Sequence, residues 1–184
     1  MNKNRNGFQV MLGLIGMIKP LLGVMCIAII MGCIGNLMAI FITILGGAAI
    51  GNLLGEATGI SMKMIFVLLV VFAVLRGVLR YAEQASNHYI AFKLLARIRH
   101  QIFASLRKLA PAKLDGKEKG NLISIITSDI ELLEVFYAHT ISPIAIAAIT
   151  SLVMVAFIGQ FHVGLGVLAA VFYLLVGVVV PVVN

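Results

Sequence analysis

Two long stretches without any charged residue dominate the pattern of hydrophobic and polar positions. Residues 20–55 and 135–184 contain no Asp, Glu, Lys or Arg. Each stretch is longer than the roughly 20 apolar residues that carry an α-helix across a bilayer. A further apolar run begins after Lys63 and meets Arg76 after little more than half the thickness of a membrane. The pattern therefore predicts helices that enter a membrane, separated by polar segments.

The run after Lys63 predicts a helix that continues beyond its apolar part. No proline and no glycine cluster interrupts the sequence before Pro111. After Arg80 apolar residues recur at steps of mostly three and four, the spacing of an amphipathic helix. The residues of this predicted apolar face are Ala82, Ala85, Tyr89, Phe92, Leu95, Ile98, Ile102, Phe103, Leu106 and Leu109. A helix over residues 61–109 would be about 73 Å long, so roughly 40 Å of it would stand outside the hydrocarbon core.

Pro111 and the polar residues after it predict a turn. Segment 112–120 has room for one short helix, and a ladder of apolar residues from about residue 121 merges with the second charge-free stretch. The predicted fold class is all-α, a polytopic membrane helical bundle with long cytoplasmic helix extensions. The four helices are expected at about residues 19–49, 61–109, 121–158 and 163–184.

Composition indicates the class of protein, and the distribution of charge indicates its orientation in the membrane. Hydrophobic residues make up 61% of the chain and charged residues 11%, against about 45–50% and about 25% in soluble domains. A water-soluble globular protein is therefore excluded. Of the 14 basic residues, 13 lie in residues 1–19 and 76–134, which share one side of a four-helix topology. Because basic loops favour the cytoplasm, we expect a cytoplasmic N-terminus, membrane lipid as a partner and no nucleic acid.

A short motif lies in and after the predicted turn. Its residues are Leu114, Asp115, Gly120, Asn121, Leu122, Ile123 and Ser124, followed by Thr127, Ser128 and Asp129. The motif resembles the aromatic-Asp-x4-Gly-Asp/Glu-Leu-Leu-Ser/Asn-Arg pattern, followed by Thr-x-Asp, of the transmembrane domain of ATP-binding-cassette (ABC) exporters. This chain departs from the pattern at Leu114, Asn121 and Ile125, where an aromatic residue, an acid and an arginine are common.

This resemblance implies that segment 112–120 couples the membrane domain to a nucleotide-binding domain, and a solvated turn without a partner is the alternative. The residues expected to make the contact are Ala112, Lys113, Leu114, Asp115, Gly116, Lys117 and Gly120. The chain has no Gly-x4-Gly-Lys-Ser/Thr phosphate loop. We therefore expect no enzyme activity from these residues alone. The resemblance implies an N-terminal fragment whose nucleotide-binding domain, with its ATP and Mg²⁺, is absent.

A second string of residues follows the predicted membrane boundary. It comprises Arg80, Tyr81, Glu83, His88, Phe92, Leu94, Leu95, Arg99, Phe103, Leu106, Leu109, Ala110, Pro111, Ala112 and Leu114. This string is similar to the CydC-type half of heterodimeric CydDC exporters, which are described as thiol-reductant exporters linked to haem and cytochrome bd assembly. The resemblance implies a second half-transporter as partner, a bacterial inner-membrane location, and thiols or haem as cargo. Multidrug, peptide or lipid export stays open, as does a membrane sensor or scaffold with a cytoplasmic helical hairpin.

The resemblance also makes His88 a candidate ligand of haem iron. It adds Arg80, Tyr81, Glu83 and Gln84 as haem or substrate candidates, although Gln84 stands where an arginine is often found. An interfacial histidine that bonds between helices is the alternative for His88.

Helical spacing alone lets Arg76, Arg80 and Glu83 share one face, where ionisable groups could line a polar cavity. Snorkelling of the arginines to the interface is the alternative. His100, His139 and His162 have no Cys, His or acidic neighbour at metal-ligand spacing, and no role is assigned to them.

Overall fold

The computed structural model describes residues 16, 19–56, 58–109, 132 and 135–180. Throughout these residues every regular element is helical, which confirms the all-α prediction. The predicted coupling segment 112–120 lies outside the described residues, as does most of the ladder from residue 121. The four helices are α1 (Leu22–Leu53), α2 (Met62–Leu109), α3 (Ser142–Gly159) and α4 (Val163–Leu174).

The described helices have the length and composition of membrane spans. Three helical segments are long and apolar enough to cross a bilayer, Lys19–Leu53, Met62–Lys108 and Ala138–Gly159. A shorter apolar segment, Val163–Val179, follows them. Large apolar side chains are exposed along them, for example Val70 at 63%. Water does not solvate such surface favourably, so lipid or further helices must cover it, as expected for a membrane-integral protein.

Helix α2 has 48 residues, so at 1.5 Å per residue it is about 72 Å long. Its first turn is capped by Ser61, whose Oγ accepts a hydrogen bond from the backbone N–H of Met64 at 3.3 Å. The apolar run from Met64 and the amphipathic sequence after Arg80 therefore belong to one continuous helix, and no proline lies inside it.

The buried residues of α2 agree only in part with the predicted apolar face. Tyr89, Phe92 and Phe103 are each at least half exposed. The residues buried on α2 after Arg80 are Glu83, Asn87, Ile90, Ala91, Leu94 and Leu95. The prediction is confirmed at Leu95, which is buried, and at Ile98, which packs partly buried against the core, and it is wrong at the three aromatic residues.

The chain forms two compact units, and the first comprises residues 1–29 and 81–142. Among its described residues, Ala91, Leu94 and Ala138 form a buried cluster. The side chains of Leu21, Met25, Ile98, Phe136 and Ile141 pack against this cluster. Two of the three central residues are alanines, which let helix backbones approach closely.

The second unit comprises residues 30–80 and 143–184. Here α1 meets α2 at Gly35, where an added Cβ would lie 3.7 Å from the Cβ of Leu79. Phe157 of α3 makes edge-to-face contacts with Phe41 at 5.7 Å and with Phe161 at 5.4 Å between ring centroids. Such aromatic pairs add to the stabilisation from apolar packing.

The turn between α1 and α2 is organised by the side chain of Asn52. Its Oδ1 accepts a hydrogen bond from the hydroxyl of Thr58 at 2.7 Å, and its Nδ2 donates to the carbonyl of Ile60 at 2.8 Å. Gly55 and Gly59 have φ values of 87° and 76°, a region that favours glycine. These contacts let α1 continue to Leu53, four residues beyond the predicted boundary.

The turn between α3 and α4 is equally specific. The Nδ1 atom of His162 accepts a hydrogen bond from the backbone N–H of Gly164 at 3.0 Å, so this histidine caps α4. The helices approach at glycines, and a Cβ added to Gly166 would lie 2.8 Å from the Cα of Gly159. His162, to which the sequence assigned no role, is thus a structural residue.

Candidate functional site

The predicted site residues start on α2 directly after its apolar run. Glu83 is the most deeply placed of them, since its side chain is fully buried. The Nδ2 atom of Asn87, one turn later and also buried, donates a hydrogen bond to Oε1 of Glu83 at 3.1 Å. Burying a carboxylate is unfavourable unless hydrogen bonds satisfy its oxygens. The amide of Asn87 therefore fixes the position of the Glu83 carboxylate on α2.

The imidazole of His88 lies between two other rings. It stacks on Phe92 of the same helix with 5.9 Å between ring centroids. It also meets the ring of His139 edge to face, at 5.6 Å between centroids. His139 belongs to the π-helical turn Tyr137–Ile141 that precedes α3. Two histidines that are 51 residues apart in sequence are thus neighbours in the first unit.

The other predicted residues have different surroundings. Arg76 and Arg80 are exposed, and Tyr81 is 79% exposed. Gln84 is half-buried. Helical spacing predicted that the two arginines share one face of α2 with Glu83. In the structure the arginines are exposed and Glu83 is buried. The exposed positions suit contact with lipid headgroups, a substrate or another subunit.

The donor chemistry of the histidine pair limits what it can hold. Within the described part of the chain there is no group of three or more His, Cys, Asp or Glu side chains placed to hold a metal ion. A mononuclear zinc site of four protein ligands is therefore not built from these residues. One or two imidazoles are, in contrast, the usual axial donors to a haem iron. The half-buried His88 could supply one such donor, whereas His139, in direct ring contact with it, is not placed to bind the opposite face of the same haem.

Sequence reasoning missed Asn87 and His139. Asn87 lies four residues after Glu83, so helical spacing could have linked them. No local spacing links His88 to His139, because their contact depends on how α2 packs against the turn that leads into α3. His100, also left without a role, is exposed and lines a cavity. The predicted coupling residues lie in segment 112–120, outside the described residues.

Comparison with known proteins assigns the sequence to a family. The sequence profile of the ABC transporter transmembrane region matches residues 25–184 of the chain. A probable ABC transporter ATP-binding/permease protein of Haemophilus influenzae is 49% identical over 180 residues, which are 98% of this chain and 33% of that protein. The chain therefore spans about a third of the length of this relative.

Two further relatives are more distant. The glutathione/L-cysteine transport system ATP-binding/permease protein CydC of Escherichia coli is 30% identical over 82 residues, covering 45% of this chain and 14% of that protein. The corresponding CydD protein of Bacillus subtilis is 28% identical over 113 residues, covering 61% of this chain and 20% of that protein.

Proposed function

The chain belongs to the ABC transporter transmembrane family, and from this premise we propose that it is the permease part of an ATP-driven exporter half that moves small thiols. The proposed cargo is cysteine or a glutathione-like peptide, because two relatives are named as parts of a glutathione/L-cysteine transport system. The observation that carries the exporter assignment is the unbroken α2, whose 48 residues are more than twice the number needed to cross a bilayer.

The proposed mechanism is alternating access driven from outside these residues. A helix continuous from Met62 to Leu109 can transmit a displacement at one end to the other as a rigid body. Nucleotide-binding domains would bind and hydrolyse ATP, and segment 112–120 would pass their closure to α2. The proposed assembly contains a second half-transporter and lies in the bacterial inner membrane with the N-terminus in the cytoplasm.

The side chains on α2 supply chemistry that suits thiol-containing amino acids and peptides. Arg76 and Arg80 are exposed residues, and the planar guanidinium of Arg76 can pair with a substrate carboxylate through two parallel hydrogen bonds, with Arg80 as a second basic group nearby on α2. The buried carboxylate of Glu83 can attract a substrate ammonium group when the transporter opens around it. These residues are proposed to bind and orient the cargo, and no covalent step is required.

Transport into inverted membrane vesicles tests the proposal. Vesicles containing the full-length protein with its partner should accumulate labelled cysteine or glutathione when ATP is added, and not with a non-hydrolysable ATP analogue. Arg76→Gln should raise the half-saturating thiol concentration, whereas Arg107→Gln, which removes the same charge from an exposed site elsewhere on α2, should not. ATP-dependent uptake of a drug, peptide or lipid without uptake of thiols would instead support the corresponding exporter class.

A membrane sensor or scaffold is the alternative from another class. Such a protein would show no ATP-dependent uptake of any of these compounds. Its reading frame would also continue into a signalling domain instead of a phosphate loop.

Haem is a second candidate ligand, favoured by the contact between His88 and His139. We propose that His88 serves as an axial ligand and that Phe92 and His139 support it. Bound haem would supply an iron centre responsive to reductants. Haem titration of the wild type should give a Soret band that His88→Ala shifts or removes. His100 is an exposed histidine of the same helix, so His100→Ala should leave the band unchanged. Identical spectra for the wild type and His88→Ala would remove His88 from the ligand set.

A further inference from the structure

A cavity of about 520 Å³ opens in the first unit between the second half of α2 and the 3-10 turn Lys19–Leu21, which leads directly into α1. On one side it is lined by Pro20 and Leu21, and on the other by Lys93, Leu94, Arg97 and His100. A smaller adjoining cavity of about 230 Å³ shares Pro20, Leu94 and Arg97 with it. The cavity is thus apolar on the α1 side and carries basic side chains on the α2 side.

The basic side chains are aligned by the helix. Lys93, Arg97 and His100 follow each other at steps of four and three, so they project from one face of α2. The ammonium group of Lys93 lies 6.0 Å from the ring centroid of Tyr89, which holds the lysine stem along the helix. In the described part of the chain the acidic residues are Glu56 and Glu83, and neither lines the cavity.

The position of the cavity along α1 relates it to the bilayer surface. Lys19 is the last charged residue before the charge-free stretch, and Pro20 and Leu21 begin that stretch. Helix α1 has 32 residues and is therefore about 48 Å long. A bilayer including both headgroup layers is about 40–45 Å thick. We therefore expect the first turn of α1, and the cavity beside it, at the level of one headgroup layer.

We propose that this cavity binds the headgroup of an anionic phospholipid. The phosphate would pair with Arg97 and Lys93, and the glycerol and the first methylenes would contact Leu21 and Leu94. Arginine offers bidentate hydrogen bonds to phosphate, and basic residues at this depth attract anionic lipids. The site lies at the junction between α1 and the part of α2 outside the apolar run, where a bound lipid would hold the two helices together. This inference requires only that the chain is in a membrane and does not depend on the transported substrate.

Native mass spectrometry of the full-length protein in detergent tests the proposal without ATP or thiol. Phosphatidylglycerol and phosphatidylcholine with identical acyl chains are the two probes, and bound lipid is counted over a range of lipid concentrations. Phosphatidylglycerol should bind more tightly to one site. The double variant Lys93→Gln/Arg97→Gln should weaken it about 25-fold, since each basic residue contributes about fivefold.

Two further variants separate the cavity from general charge and from misfolding. Arg107→Gln/Lys108→Gln removes two basic charges from exposed positions that do not line the cavity, and it should change binding less than about twofold. Ala96→Trp keeps every charge but places a large side chain at the cavity wall, and it should also reduce binding.

The proposal is overturned if the two lipids bind equally, or if the control pair loses as much affinity as the cavity pair. Displacement of phosphatidylglycerol by millimolar inorganic phosphate or glycerol phosphate would show that the cavity takes a soluble anion instead. Thiol transport is not part of the measurement, so a failed transport assay leaves this result unaffected.

Discussion

Substitution of Gly166 is the sharpest test of the helix packing. A Cβ at this position would lie 2.8 Å from the Cα of Gly159, 3.3 Å from its nitrogen and 3.4 Å from the carbonyl oxygen of Val155. All three atoms belong to the backbone, so no side-chain rotation relieves the overlap and α4 must move away from α3. Such overpacking costs about 1–3 kcal/mol. Replacing a helical glycine with alanine contributes about 1 kcal/mol in the opposite direction.

We therefore expect Gly166→Ala to lower the stability of the full-length protein by up to about 2 kcal/mol. Thermal unfolding in detergent should show a Tm several degrees below that of the wild type. Gly159→Ala is the matched control, because its Cβ would lie 3.9 Å from the Cα of Gly166, an ordinary contact. Its Tm should be unchanged or slightly raised. Equal Tm values for the two variants would refute the close approach of α3 and α4 at these glycines.

Three further substitutions test other parts of the molecule. Asn52→Ala removes the hydrogen bonds to Thr58 and Ile60 and should lower the free energy of unfolding by about 1–2 kcal/mol, seen as a lower Tm. Asn52→Asp can still accept the hydrogen bond from Thr58, so its Tm should decrease less. Leu94→Ala creates a cavity in the buried cluster and should cost about 2–5 kcal/mol, seen as a large Tm decrease that Leu94→Met does not share. Lys113→Cys should react with a membrane-impermeant maleimide in inverted vesicles but not in intact cells, and labelling from outside the cell would contradict the proposed orientation.

The helices were predictable because charge is excluded from the hydrocarbon core. The absence of charge in residues 20–55 predicts α1, and the absence of proline between Lys63 and Pro111 predicts one long α2. The end of α1 is less predictable, since Gly46, Gly47 and Gly51 weaken the helical signal before it. Leu53 remains helical in the structure, and the side chain of Asn52 closes the following turn through partners six and eight residues away. Helix propensities, which depend only on neighbouring residues, do not predict such contacts.

The face of α2 was harder to predict than its length. Apolar periodicity favoured Tyr89, Phe92 and Phe103 as buried residues, yet all three are at least half exposed. The structure instead buries Glu83 and Asn87, two polar residues that are joined by a hydrogen bond one helical turn apart. In a membrane protein apolar side chains are also stable against lipid, so hydrophobicity alone does not identify the packed face. The pairing of polar groups is then the better signal.

The contact between His88 and His139 shows why a site can be missed even when the helices that carry it are predicted correctly from the sequence. His88 could be selected by resemblance, but its partner depends on the register between α2 and the segment before α3. The buried cluster of Ala91, Leu94 and Ala138 fixes that register. Ala138 adjoins His139 and Ala91 lies three residues after His88, so the same packing brings the two imidazoles together. Enlarging Ala138 should therefore separate the imidazoles without altering either histidine, which makes the small side chain at this position part of the candidate site.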